Sequence, residues 1–202
     1  MKSFEEIVKN RKNTTKFIPG IKIDRQHIKD ILQLAGQSPS GWNLQHWKFI
    51  VFESDYMRRK LLPIAYNQSQ IIDSSVVIAV LGDLNANENF EEIYSALVKK
   101  GTMSEKIKGI IQKQVDRSYS DIRNAIEHAF TNAALATMTL IYAAESKGFN
   151  TGIIGGFNKQ EFMEEFRIPK RYFPMVLIPI GIKSGESHPS ERFDITKTTS
   201  WL

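Results

Sequence analysis

Apolar residues recur along this chain with two alternating periods, and the alternation lays out its elements. Behind Asp24, the residues Ile28, Ile31, Leu32 and Ala35 recur at helical spacing, which predicts a helix capped by Asp24 and ended by Pro39. Ser3, with Glu6 three residues on, has the capping-box pattern of a short helix reaching Asn10. The run WKFIVF (Trp47–Phe52) predicts a strand, and Ser54 then caps a helix running to about Leu62. SVVIAVLG, residues 75–82, is nearly all apolar and rich in β-branched side chains. That pattern suits a central strand buried on both faces. Phe149 opens a strand to Ile154, Asn158 with Glu161 caps a helix over residues 159–166, and MVLIPIG (residues 175–181) reads as the last strand. Pro179 fits that strand only where no ladder donor is needed.

Residues 118–147 predict the longest helix, with Ser118 and Asp121 as a capping box and Gly148 just beyond its C-terminal end. Its second half carries Ala or Thr at 129, 131, 133, 134, 136, 137, 139, 143 and 144. Small residues on several faces and no clear polar stripe predict burial all round. Either the centre of a monomer or a second copy of the chain satisfies that demand. Between them, residues 85–119 are patterned weakly: a helix over residues 103–115 is expected, in an excursion from the core. Strands separated by helices indicate an α/β or α+β fold, and no repeat or linker divides residues 1–202 into two domains.

Composition narrows the chemistry. Hydrophobic residues make up 42% and charged residues 24%, the balance of an ordinary globular protein. The opening residues lack the apolar region of a signal peptide, and no apolar run reaches the length of a membrane span. There is no cysteine, which excludes disulfides, thiolate nucleophiles and cysteine-ligated clusters. Four scattered histidines (His27, His46, His128, His188) show no metal-binding spacing. Redox chemistry in such a chain requires an organic cofactor. The net charge of +5 is spread rather than blocked, and the basic runs at 57–60 and 99–100 read as solvated helix faces.

A nucleophile elbow fails at GQSPSG: Ser38 precedes Pro39, which has no N–H, and Ser40 lacks a glycine at 38. No Gly-x-x-x-x-Gly-Lys or Gly-x-Gly-x-x-Gly occurs. The glycine-dense turn TGIIGGF (residues 151–157) follows a strand, and Gly155 with Gly156 would let backbone N–H groups approach a flat ligand. By itself the turn reads first as a plain strand-to-helix connection. RKNTTKF offers Arg11 and Lys12 as phosphate donors with Asn13 and Thr15 beside them, and Arg192 stands alone in HPSERFD. Each also reads as a solvated turn. Asn67 and Gln68 present amides that suit a heterocycle edge, or Asn67 caps a helix.

In order and spacing these segments resemble the FMN-dependent nitroreductase family. RKNTTKF stands where the family has Arg-Arg-Ser-x-Arg-x-Phe, SPSGWNLQHW where it has Pro-Ser-x-x-Asn-x-Gln-Pro-Trp, and IIGGF, IPIG and Arg192 follow in turn. The resemblance runs over nearly the whole chain and is weakest at residues 85–119. It implies an α+β fold, a mixed central sheet flanked by helices, with the long helix at a homodimer interface that holds two FMN. Arg11, Lys12 and Arg192 would then clamp the phosphate, with Asn13 and Thr15 beside it. Asn67 would address the pyrimidine edge, and Gly155 and Gly156 would donate near flavin N5. Pro39, Ser40 and Gly41 would lie against the flavin of the partner chain, and Asn43 and Gln45 would fix the loop or touch the cofactor, with Trp47 in the core and Trp42 at the ring or the dimer contact. Thr15 and Gln70 occupy positions that are basic in other members, and His46 replaces a proline.

The implied reaction has NAD(P)H reduce the flavin, which then reduces a nitroaromatic or quinone, with no side chain required as acid or base and no metal. With no signal peptide read in the opening residues, a cytoplasmic location is expected. Flavin storage or sensing, and a dehalogenase or flavin-cleaving activity, stay open as alternatives, with residues 85–119 as the expected substrate cover. A nucleic-acid partner is disfavoured by the lack of a motif or basic stripe.

Overall fold

The computed structural model describes residues 3–185 and 190–202. His188 lies outside them. Helices α1 (Phe4–Asn10) and α2 (Arg25–Ala35) start at Ser3 and Asp24, whose side chains accept from the backbone N–H of Glu6 and Gln26; at Ser3 the full capping box forms. α2 ends at Gly36 rather than at Pro39, because Gly36 already caps it and residues 36–38 turn back on its last carbonyls. Strand β1 (Trp47–Phe52) and helix α3 (Asp55–Ile64), capped by Ser54, follow as expected.

The sheet is ordered β1-β2-β4-β3, with β2 at Val76–Asp83, β3 at Asn150–Thr151 and β4 at Tyr172–Gly181. Every pairing among the described strands is antiparallel, so the expected mixed sheet is not what this chain forms. β2 is buried at all eight positions. Its alternation sends Val76, Ile78 and Val80 into one core and Val77, Ala79 and Leu81 into the other. The first core packs α2 and the long helix α7 (Ile122–Ser146) on the sheet; the second packs α3 and helix α8 (Lys159–Glu165). Pro179 sits opposite Val77, where its carbonyl accepts from Gly152 N–H and no donor is called for.

The expected strand at 149–154 shrinks to two residues plus an isolated bridge from Ile154 to Leu177. The excursion contains two helices, α5 (Phe90–Lys99) and α6 (Glu105–Tyr119), after a short α4 (Gln70–Asp73). α5 escapes a sequence reading because its start has no side-chain cap. Ser118 belongs to α6 and does not begin the long helix; Asp121 caps α7 by accepting from Arg123 N–H. Arg58, read as part of a solvated face, is buried and donates to the carbonyls of Ile72 in the last turn of α4 and of Ser74 just past it.

Small residues bring α7 onto β2. A Cβ on Gly82 would stand 3.1 Å from Ala129 O and 3.2 Å from Ala129 Cβ, so the helix touches the strand's backbone. Burial all round, however, is not achieved within one chain. Ile122, Ile126, Phe130 and Leu135 of α7 remain exposed, as do Phe4 and Val8 of α1 and Leu34 of α2. The tail is open too: Phe193, Ile195, Trp201 and Leu202 are exposed, Trp201 at 93%.

Candidate functional site

Three segments meet beside β3. Thr14 N–H donates to Thr151 O at 3.0 Å, and Asn13 Oδ1 accepts from Ile153 N–H at 2.7 Å. From the other side, Gln68 Nε2 donates to Gly156 O and Ala65 O, both at 2.9 Å. Gln70 Nε2 donates in turn to Gln68 Oε1 at 3.2 Å. Because both carbonyls can only accept, this chain of bonds fixes the orientation of both amides. The result is a cradle of residues 11–15, 67–70 and 151–156.

Gly152 is the pivot. A Cβ there would lie 2.5 Å from Thr14 O and 3.0 Å from both Gln70 Oε1 and Pro179 Cγ. Gly155 and Gly156 differ: both are exposed, neither has a positive φ, and a Cβ on either would meet nothing within 4 Å. The fold of this chain gives no reason for glycine at either position. The Arg11 side chain leaves Nη1 buried without a partner, an orphan that an anion would satisfy. Together the free guanidinium nitrogen and the open glycine turn fit a flat ligand carrying a phosphate. Asn67, at φ 56°, is exposed and does not cap α4, whose N-cap is Ser69. Lys12 is half-buried and Thr15 exposed, while Arg192 lies in the exposed tail and, among the described residues, donates to its neighbour's carbonyl. The structure of one chain does not bring Arg192 to Arg11.

The loop at 39–45 is built differently. Trp42, Asn43 and Gln45 have φ of 50°, 55° and 54°, a left-handed conformation that costs roughly 1–2 kcal/mol per residue. Side chains from elsewhere hold it. Asn132 Oδ1 of α7 accepts from Gly41 N–H at 2.9 Å, Tyr94 Oη of α5 donates to Trp42 O at 3.0 Å, and Asn89 Nδ2 donates to Leu44 O at 2.9 Å. Within the loop, Ser40 Oγ accepts from Gln45 N–H at 3.0 Å. Leu44 packs with Ala86, Phe90, Tyr94 and Val115, and Trp42 lies against them. The excursion therefore buttresses this loop, a role distinct from the substrate cover expected of it. Pro39 and Asn43 stay exposed, while Ser40 and Gly41 are half-buried. Trp47 packs against the first core.

Beneath the loop, His46, Tyr119 and His128 gather. His46 is 0% exposed, and neither ring nitrogen has a partner. Burial pushes its pKa down to about 4, assisted by His128 and opposed by Asp83. Burial likewise raises the Tyr119 phenol, with Asp83 adding to the effect. No hydrogen bond among the described residues joins the loop to the cradle, and the cavity of about 350 Å³ lined by Pro19, Arg58, Ile72 and Ser74 includes residues of neither. Sequence reasoning missed Asn132, although an Asn inside an alanine-rich helix is itself a signal. It offered the Gln68 amide as one that would suit a heterocycle edge, whereas in the structure that amide ties the glycine turn. No group of His, Asp or Glu among the described residues could hold a metal ion.

The comparisons with known proteins agree with one another. The model of the Nitroreductase family matches residues 8–182. YodC of Bacillus subtilis, which bears the name of an NAD(P)H nitroreductase, is 43% identical over 197 residues, covering 98% of each chain. A nitroreductase-named chain from Exiguobacterium sibiricum, solved in complex with FMN, superposes with a TM-score of 0.93 at 32% identity, covering 100% of this chain and 98% of the other. A chain from Staphylococcus epidermidis named as an NAD(P)H:FMN oxidoreductase gives a TM-score of 0.93 at 29% identity, with coverage of 100% and 97%.

Proposed function

Because the chain belongs to the Nitroreductase family, we propose that it is an FMN-dependent oxidoreductase that takes electrons from NAD(P)H and passes them to nitroaromatics, quinones or similar acceptors. The observation that carries this reading is the cradle: Thr14 and Asn13 bond to Thr151 and Ile153, in a segment that begins with a buried, unpartnered Arg11 nitrogen, and the other segment ends in Gly155 and Gly156, which the chain leaves uncrowded. When bound, FMN supplies the chemistry by accepting a hydride from the nicotinamide and returning the electrons to the acceptor.

The chain's own residues bind and orient. Arg11, Lys12 and Arg192 hold the phosphate, with Asn13 and Thr15 beside it. Asn13 Oδ1 is already committed to Ile153 N–H, so only its amide nitrogen is left to donate. Asn67 meets the pyrimidine edge, and Gly155 and Gly156 leave room at the ring. Gln70 places a neutral amide where a cation would stabilise anionic reduced flavin, which favours a lower potential.

The working unit is a homodimer. Two features support it: the exposed apolar residues on α1, α2 and α7, and the absence, among the described residues, of any hydrogen bond between cradle and loop. In the dimer, Pro39, Ser40, Gly41 and Asn43 of one protomer cover the flavin cradled by the other, and the apolar tail with Arg192 finds its packing there. Residues 1–202 act as one FMN-binding unit. No helix among the described residues is long and apolar enough to cross a membrane, and we assign the protein to the cytoplasm.

The test is a visible spectrum of the purified protein, then anaerobic NADH and NADPH in turn, then a quinone. Yellow protein bleached by a nucleotide and recoloured by the quinone is the expected result. Protein that neither binds FMN nor bleaches would refute the reading. Sharing of the site between protomers is checked by mixing an Arg11→Ala variant with a Gly41→Pro variant. Subunit exchange should restore one working site per mixed dimer.

A further inference from the structure

The His46–Tyr119–His128 cluster serves no role in the reaction above, yet it sits where the strained loop is pinned. His46 Cε1 lies 3.8 Å from where a Cβ on Gly41 would be. Its backbone carbonyl accepts from Asp83 N–H at 3.0 Å, anchoring the loop's end to β2. The His46 ring lies nearly parallel to Tyr119 at 6.4 Å and 5.8 Å from His128, and Trp42 meets His128 edge-on at 5.3 Å. His128 is oriented by Ser118 Oγ at 2.9 Å from its Nε2, and its carbonyl accepts from Asn132, the side chain that also holds Gly41. Strand, loop, α6 and α7 thus converge on three rings.

Three polar atoms in this cluster, both His46 ring nitrogens and the Tyr119 hydroxyl, are buried and unpartnered. Nothing offers a second proton on His46 an acceptor at hydrogen-bond distance. We propose that this cluster is the positioning element of the 39–45 loop, that it holds the loop with the His46 ring uncharged, and that protonation of His46 releases the loop.

The surroundings determine the sign. Against His46 stand Tyr119 from α6, His128 from α7 and Asp83 from the end of β2. Asp83 is the one carboxylate among them, and both its oxygens already accept from Arg171 at 2.7 Å, with Glu88 on the same guanidinium. It cannot compensate a charged ring at full strength. With the loop closed, His46 resists protonation down to about pH 4, whereas a solvated imidazole titrates at 6.5. Loop opening therefore becomes more favourable as pH falls between those values, by up to about tenfold per pH unit. Where FMN is covered by this loop, release also loosens the flavin of the partner chain; that consequence rests on the reading above, whereas the loop's own opening does not.

Hydrogen exchange of a peptide spanning residues 38–47, read by mass spectrometry between pH 7.5 and 4.5 and corrected for intrinsic rates, tests this directly. The wild-type dimer as purified should show loop exchange rising below about pH 6.5, approaching tenfold per unit, while β2 stays protected. His46→Phe, which keeps a ring without a titrating nitrogen, should abolish the rise. His128→Gln, which leaves His46 in place without the neighbour that lowers its pKa, should leave the onset near pH 6.5 and make the rise level off at a higher pH, with a smaller total increase. A loop that exchanges independently of pH, or one that responds equally in His46→Phe, would overturn the proposal; so would loss of the response in His128→Gln, because His128 would then be the titrating ring. Since exchange is read whether or not flavin is present, failure of the FMN assignment would show separately, as a colourless protein with an intact pH response.

Discussion

The cradle and the 39–45 loop are two halves of a proposed site, and they are held in place by different physics. The cradle is backbone against backbone: Thr14 on Thr151, Gly152 on Pro179, with side-chain amides adding ties. The loop is backbone held by distant side chains, with three non-glycine residues in a left-handed conformation. The first kind of structure is insensitive to pH and to most surface substitutions, and it fails only where atoms collide. The second depends on particular polar groups in particular protonation states. The difference places adjustability in the loop and fixed geometry in the cradle.

The largest effect that would break this contrast is expected at Gly152. Gly152→Ala puts a methyl 2.5 Å from a backbone oxygen that cannot yield without moving residues 13–15. We expect about 3 kcal/mol of lost stability together with loss of FMN, measured by urea unfolding and by the flavin spectrum. A stable, yellow Gly152→Ala protein would mean that the cradle is not the rigid half.

Next is the acid response of the loop. The folded protein binds a proton at His46 less tightly than the unfolded chain does, since its pKa falls from 6.5 to about 4. This contribution to stability is complete above about pH 6.5, is lost as pH falls to about 4, and is flat below that. It amounts to at most about 3 kcal/mol, visible as a pH-dependent unfolding midpoint that His46→Phe should flatten.

Asn132→Ala removes the acceptor of Gly41 N–H and should cost about 1–2 kcal/mol. FMN retention should weaken while the bonds around Gly152 stay intact, a separation that exchange rates at the two segments would report. The smallest stability effect belongs to Gly155→Ala, within about 0.5 kcal/mol, because a Cβ there meets nothing in the chain. Its flavin affinity should nonetheless drop. Two glycines three residues apart would then give opposite patterns, one required by the fold and the other by the ligand.

Some of this was legible without coordinates, for reasons that particular residues make clear. Ser3, Asp24, Ser54 and Asn158 cap helices through bonds spanning two or three residues, so their sequence neighbours suffice to reveal them. Ser118 misled because Asp121, three residues on, competes for the same role, and the helix before it runs through Ser118 to Tyr119. Strand β2 declared itself because burial on both faces leaves an unbroken apolar run from Val76 to Gly82 before Asp83 ends it. The cradle's residue types were found, but the use of Gln68 as a tie rather than a ligand was not.

Most local elements, the choice between an α/β and an α+β class, the need of any redox chemistry for an organic cofactor and, through ordered motifs, the resemblance to the family could be read along the chain. Each of these depends on composition or on neighbours along the chain. Packing was needed to see that the described strands pair antiparallel, that residues 85–119 buttress a loop, that Gly152 and Gly155 answer to different constraints, and that His46, Tyr119 and His128 share one buried space. These depend on contacts between residues tens of positions apart, such as Asn132 with Gly41 or Gln68 with Gly156. Pairing at that separation is set by how whole elements pack, and no periodicity along the chain records it.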